Sequence, residues 1–130
     1  MSYYFSKVIK SKDFDEVIQL VTEELKKEGF GVLTEIDVKN TLKNKINIDF
    51  KHYKILGACN PYFAHKALTS EDKIGVFLPC NVVVIEQGSK VIEVAAVDPH
   101  ASMIAVSNAN LIEIASEVQI KLKQVINNLE

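Results

Sequence analysis

Two cysteines and their neighbours are the strongest chemical candidates in this 130-residue chain. Cys59 sits in "GACNPYFAHKAL", directly before Asn60-Pro61, and Cys80 sits in "LPCNVVV", again followed by asparagine. Asparagine is a favourable N-cap, and proline at the first helical position forfeits no useful hydrogen bond, so a helix is expected to start here. Cys59 then lies just outside a helix N-terminus, where partial positive charge favours thiolate over thiol. His65 follows about one turn into that helix. A thiolate near an imidazole can serve as a nucleophile, a redox sensor or a soft metal ligand. A small residue that merely ends a strand uses the same letters, because free cysteine is often buried without function.

Cys80 follows Pro79, which has no amide hydrogen and so interrupts a strand or marks a bulge that re-aims its neighbour. If the strands holding Cys59 and Cys80 are neighbours, the thiols form a soft ligand pair for copper or zinc. A disulfide would need their Cα atoms within about 7 Å. The 20 residues between them (60–79) match no compact zinc motif.

Glu35 and Asp37 share one face of a strand, where carboxylates act as acid, base or hard-metal ligand. Asp37 has an ordinary alternative as the N-cap of a following helix. Glu35 is expected beside Leu33 and partly buried, and a buried carboxylate needs a partner. Asp98-Pro99 repeats the cap-then-proline device, with His100 and Ser102 beside it. It reads as an anion-receiving helix start or as a well-capped turn. Cys59, Cys80, Glu35 and His65 are expected to converge on one partly open cavity near the Asn60-Pro61 start, with Asn60 and Asp98 completing the ligand set.

Elements must position these groups. "YYFSKVIK" reads as strand one. Asp13 and Glu16 have the spacing of a capping box, and Phe14, Val17, Ile18, Val21 and Leu25 form one helical face that Gly29 ends. "GVLTEIDV" is strand two, followed by a short helix near Val38 to Lys45. "YKILGAC" is strand three. "IGVFLPCNVVVIE" is read as strand four, interrupted at Pro79. Gln87 to Lys90 turns into strand five, "VIEVAAV". A last helix from about Ser107 to Leu129 carries Leu111, Ala115, Val118, Leu122, Val125 and Leu129 at a heptad-like rhythm. The expected class is α+β: a mainly antiparallel five-stranded sheet, with the Asp13 and Ser107 helices across one face, in a single domain spanning 1–130. Ile112, Ile114, Ile120 and Ile126 lie beyond the main stripe of the last helix and suggest a homodimer.

Composition narrows the function. The formal charge of −2 and the scattered lysines give no phosphate-binding surface, so no nucleic-acid partner is expected. No run of about 18 apolar residues occurs, so no membrane partner is expected. The first 16 residues lack the basic start and apolar core of a signal peptide, and two cysteines make no disulfide scaffold, which points to the cytoplasm. No glycine-rich phosphate loop, nucleophile elbow or zinc-protease motif is present. The residues name no particular cofactor, and its identity stays open.

The blocks "GFGVLTEIDVKNTLKNK", "YKILGACNPYFAHKAL", "IGVFLPCNVVV" and "AVDPHASM" resemble, in order and from Gly29 to Met103, the family called domain of unknown function 302. The resemblance implies a fold similar to the TATA-box-binding-protein class, β-α-β4-α, and no particular activity; a shared fold does not import DNA binding. Three function classes stay open. One is a module binding a small ligand, an anion or a soft metal at a thiol-containing site. The second is a dimeric interaction protein whose motif residues are structural. The third is an enzyme with Cys59 as nucleophile, for which no complete catalytic constellation is visible.

Overall fold

The computed structural model describes residues 2–130. Five strands, β1 (Tyr4–Lys10), β2 (Gly31–Asp37), β3 (Tyr53–Cys59), β4 (Cys80–Gly88) and β5 (Val91–Val97), form one sheet in the order β1-β5-β4-β3-β2, antiparallel at every junction. The helices are α1 (Phe14–Lys27), α2 (Val38–Ile46), α3 (Pro61–Ser70), α4 (Pro99–Met103) and α5 (Ala109–Asn127). With α2, α3 and α4 set aside, the order is β-α-β4-α, as expected.

Strands β1 and β2 occupy opposite edges of the sheet, so α1, which joins them, must cross its face. Its start is fixed by the capping box: Asp13 Oδ1 accepts from Glu16 N at 2.9 Å, and Glu16 Oε1 accepts from Asp13 N at 3.3 Å. Its end is a Schellman turn, in which Gly29 N donates to the Lys26 carbonyl and Phe30 N to the Leu25 carbonyl, with Gly29 at φ +87°. Val21 and Leu25 of α1 and Leu122 and Val125 of α5 pack on Val82, Val84, Val94 and Ala96 of the sheet. The whole heptad-like stripe of α5 is buried. Burying each large apolar side chain contributes about 1.5–3 kcal/mol. A second, smaller cluster joins Ala67, Ile74, Met103, Leu111 and Ala115.

The structure corrects the sequence reading at strand four. Asp72–Phe77 is a short 3-10 segment, and the strand begins at Cys80, after a cis Leu78-Pro79 bond. Ile74 is buried there while Val76 and Phe77 are exposed, a burial pattern that does not alternate as a strand's would. Gly75 weakens strand formation, and Pro79 cannot donate to the ladder, so it stands at the strand boundary. The register shift near this end lies instead between Val32 and Thr34 of β2, where Leu33 is the additional residue.

Of the isoleucines noted in the last helix, Ile126 is buried in the main core and Ile114 packs against it. Only Ile120 stays largely exposed, so the surplus apolar surface that suggested a dimer through this helix mostly has an internal use.

Candidate functional site

Antiparallel order brings four sequence blocks to one end of the sheet. Gly31 pairs with Cys59, Ala58 with Cys80, and Val82 with Ala96, so the start of β2, the end of β3, the start of β4 and the end of β5 lie side by side. Helices α3 and α4 both begin at this end, each with proline at its first position. Gly57 makes the convergence possible. A β-carbon there would collide with Thr34 Oγ1 and would lie 2.8 Å from Pro79 Cγ.

Between this sheet end, α3, α4 and α5 is a half-open cavity of about 310 Å³. Its wall includes both cysteines, Asn60 and Thr34; every other lining side chain is apolar, and none is charged. Helix α3 presents Asn60, Phe63, Ala64, Ala67 and Leu68 to it, the spacing of one helical face.

Both cysteines are unpaired and half-buried. The register sets Cys80 opposite Ala58, so Cys59 is one position further along, and strand alternation aims the two side chains toward different faces. They meet around the sheet end rather than as a directly opposed pair. Burial, and secondarily the neighbouring Cys59, push the Cys80 thiol up to about 11. Cys80 is therefore a neutral thiol at physiological pH.

Asn60 is the most unusual polar group in the wall. It occupies the N-cap position of α3 but makes no side-chain cap there. Its Nδ2 instead donates to the Glu28 carbonyl at 3.3 Å, which satisfies a carbonyl at the end of α1. Asn60 is buried, and its Oδ1 has no hydrogen-bond partner among the described residues.

Three expected members do not reach the cavity. Glu35 lies on β2 four residues in from Gly31, more than half exposed, with Oε1 3.9 Å from Lys54 Nζ. The irregularity at Leu33 turns Leu33 and Thr34 toward the cavity, and Glu35 stays at the solvent edge. His65 lies off the Asn60-Phe63-Ala64-Ala67 face of α3, so the helix carries it into a separate groove with Lys66, Asn110 and Glu113. Asp98 is a cap: its Oδ1 accepts from His100 N and from Gln119 Nε2, both at 3.0 Å. Asp37 likewise caps α2 by accepting from Asn40 N. The expectation that Glu35 and His65 converge with the cysteines is thus corrected. Among the described residues, no group of three or more His, Cys, Asp or Glu is arranged to hold a metal ion.

Sequence reasoning missed Phe30, Leu33, Phe63, Met103 and Ile114 as cavity residues. A signal existed for Phe63, Ala64, Ala67 and Leu68, whose i, i+1, i+4, i+5 spacing marks an apolar helix face. No local signal marked Phe30 or Met103, which arrive from distant parts of the chain.

The family model described as domain of unknown function DUF302 matches residues 5–129. A crystal structure of an uncharacterised conserved DUF302 protein from Bacillus stearothermophilus is similar at a TM-score of 0.91 and 28% identity, over 100% of both chains. No curated protein matches the chain.

Proposed function

The chain belongs to the DUF302 family, and from that premise we propose that it is a small-ligand-binding module whose ligand is neutral and largely apolar. The observation that carries this reading is the cavity of about 310 Å³ with no charged side chain in its wall. Apolar walls with a few polar groups are the usual build of small-molecule sites. A charged guest would lose its hydration with no opposite charge to replace it, which weighs against an anion. Among the described residues, the two thiols have no third ligand of the usual kinds beside them, which weighs against a closed zinc site. The thiols belong to the site as soft, polarisable contacts. Two unpaired cysteines, and the absence of any helix among the described residues long and apolar enough to cross a membrane, fit a cytoplasmic setting.

The test uses N-phenyl-1-naphthylamine, a neutral apolar fluorophore. Saturable 1:1 enhancement is expected, weakened at least about tenfold by Ala64→Phe, which fills the cavity from α3. Circular dichroism of the variant checks that the fold is kept. Enhancement unaffected by Ala64→Phe would place the probe elsewhere and refute the reading.

A second reading is assembly as a homodimer. The sheet face turned away from α1 and α5 exposes Tyr4, Val8 and Ile36. A second copy laid on that face would cover them. Sedimentation at high micromolar concentration is expected to show twice the chain mass, and a monomer there would contradict it.

A further inference from the structure

We infer that the ligand of this cavity carries a hydroxyl or N–H donor that is recognised by Asn60 Oδ1. This rests on the ligand-binding reading above and specifies the chemistry of the guest.

The orientation of the Asn60 amide is determined by its surroundings. Nδ2 donates to the Glu28 carbonyl at 3.3 Å, and a flipped amide would set oxygen against oxygen. Gly29, at φ +87°, allows this approach: a β-carbon on it would lie 2.9 Å from Asn60 Nδ2. Oδ1 is consequently the free end of the amide. It is buried, has no partner, and belongs to a residue of the cavity wall. Buried polar atoms are normally satisfied, and a donor on a bound guest would satisfy this one.

Asn60 has also left the task its position suggests. An asparagine at an N-cap ordinarily accepts from the first-turn amides of its own helix, and this one does not. Its acceptor remains unpaired, and it belongs to a wall whose other polar side-chain groups are Thr34 and two thiols. A donor on the guest is the complement of that acceptor. Oδ1 has almost no open surface, so neighbouring side chains must shift as the donor arrives. Discrimination then follows from chemistry: a guest with the donor pairs the oxygen, and an isosteric guest without it leaves the oxygen buried and alone.

The test compares matched pairs that differ in the donor: 2-naphthol with 2-methoxynaphthalene, 4-butylphenol with 4-butylanisole, and 1-octanol with methyl heptyl ether. Affinities are read from chemical-shift titration of the isotope-labelled full chain. Each hydroxyl compound that binds is expected to do so at least about tenfold tighter than its ether, and to shift the Asn60 side-chain amide signal. In Asn60→Ala the preference should fall to less than about twofold. If that variant does not fold, the wild-type preference and the Asn60 signal decide. Equal binding of alcohol and ether at the cavity signals would overturn this inference and leave the cavity reading intact. Absence of cavity shifts with every compound would overturn both.

Discussion

Thr34 Oγ1 occupies the space that a β-carbon on Gly57 would need, and Pro79, just before β4, closes the same space from the other side. Three residues from β2, β3 and the approach to β4 are thereby locked together at the cavity end. Gly57→Ala is expected to destabilise the fold by about 1–3 kcal/mol, the usual range for overpacking a tight site. Thr34→Ala should recover part of that loss by removing one of the two obstructions. Denaturant midpoints of the two single variants and the double variant measure the coupling.

Gly29→Ala should also destabilise, for a different reason. The residue sits at φ +87°, and a side chain there costs about 1–2 kcal/mol before any contact is counted. The new methyl would press on Asn60 Nδ2 and disturb its bond to the Glu28 carbonyl. Chemical denaturation gives the loss, and displacement of the Asn60 side-chain amide signal reports the contact.

Cys80 makes stability depend on pH in the alkaline range. Its unfolded value is near 9.0 and its folded value about 11, so above pH 9 the unfolded chain binds fewer protons than the native one. The contribution of Cys80 is complete below about pH 9 and is lost as pH rises toward 11. The loss amounts to at most about 2–3 kcal/mol. Lysines and tyrosines titrate in the same window, so the measurement is the difference in pH slope between wild type and Cys80→Ala. A zero difference would show that burial does not hold the proton on Cys80.

Alkylation should separate the two thiols. The neutral form of Cys80 does not react, so iodoacetamide at near-neutral pH is expected to label Cys59 first. Labelling of Cys80 should accelerate about tenfold per pH unit until it approaches its folded value. Peptide mapping against time and pH checks both statements.

Glu35→Gln and His65→Ala test the boundaries of the site. Both residues are exposed and neither lines the cavity, so each substitution should change stability by less than about 0.5 kcal/mol. Binding of N-phenyl-1-naphthylamine should not change. Asp98→Ala should behave differently, losing about 1–2 kcal/mol with its cap to His100 and its tie to Gln119.

The elements were legible because their signals are local. Asp13 and Glu16 mark a helix start, Gly29 its end, and the α5 stripe its buried face, all from neighbouring letters. Pro79 was legible as an interruption but not as a boundary, because Ile74 to Leu78 is apolar enough for either a strand or a tight turn. At the site, Cys59 and Asn60 were legible from the strand end and helix start they mark, and Cys80 from the interruption at Pro79. Glu35 and His65 were misplaced for geometric reasons. A single additional residue at Leu33 sets the pleat of β2, and a rotation of about 100° per residue decides which side of α3 faces the cavity. The detour of Asn60 to Glu28 had no sequence signal at all, since its partner is a backbone atom 32 residues away.

The cavity lies on the seam between the two apolar clusters. Phe30, Ala58 and Val118 belong to the larger one, and Ala67, Met103 and Ala115 to the smaller. A void inside a single core can exchange its contents only when that core loosens. A seam can part when the smaller cluster moves, while the sheet, α1 and the C-terminal half of α5 keep their contacts. On the proposed ligand-binding function, the residence time of a guest would be governed by the smaller cluster, and changes at Ile74 or Leu111 would alter the dissociation rate without touching the guest.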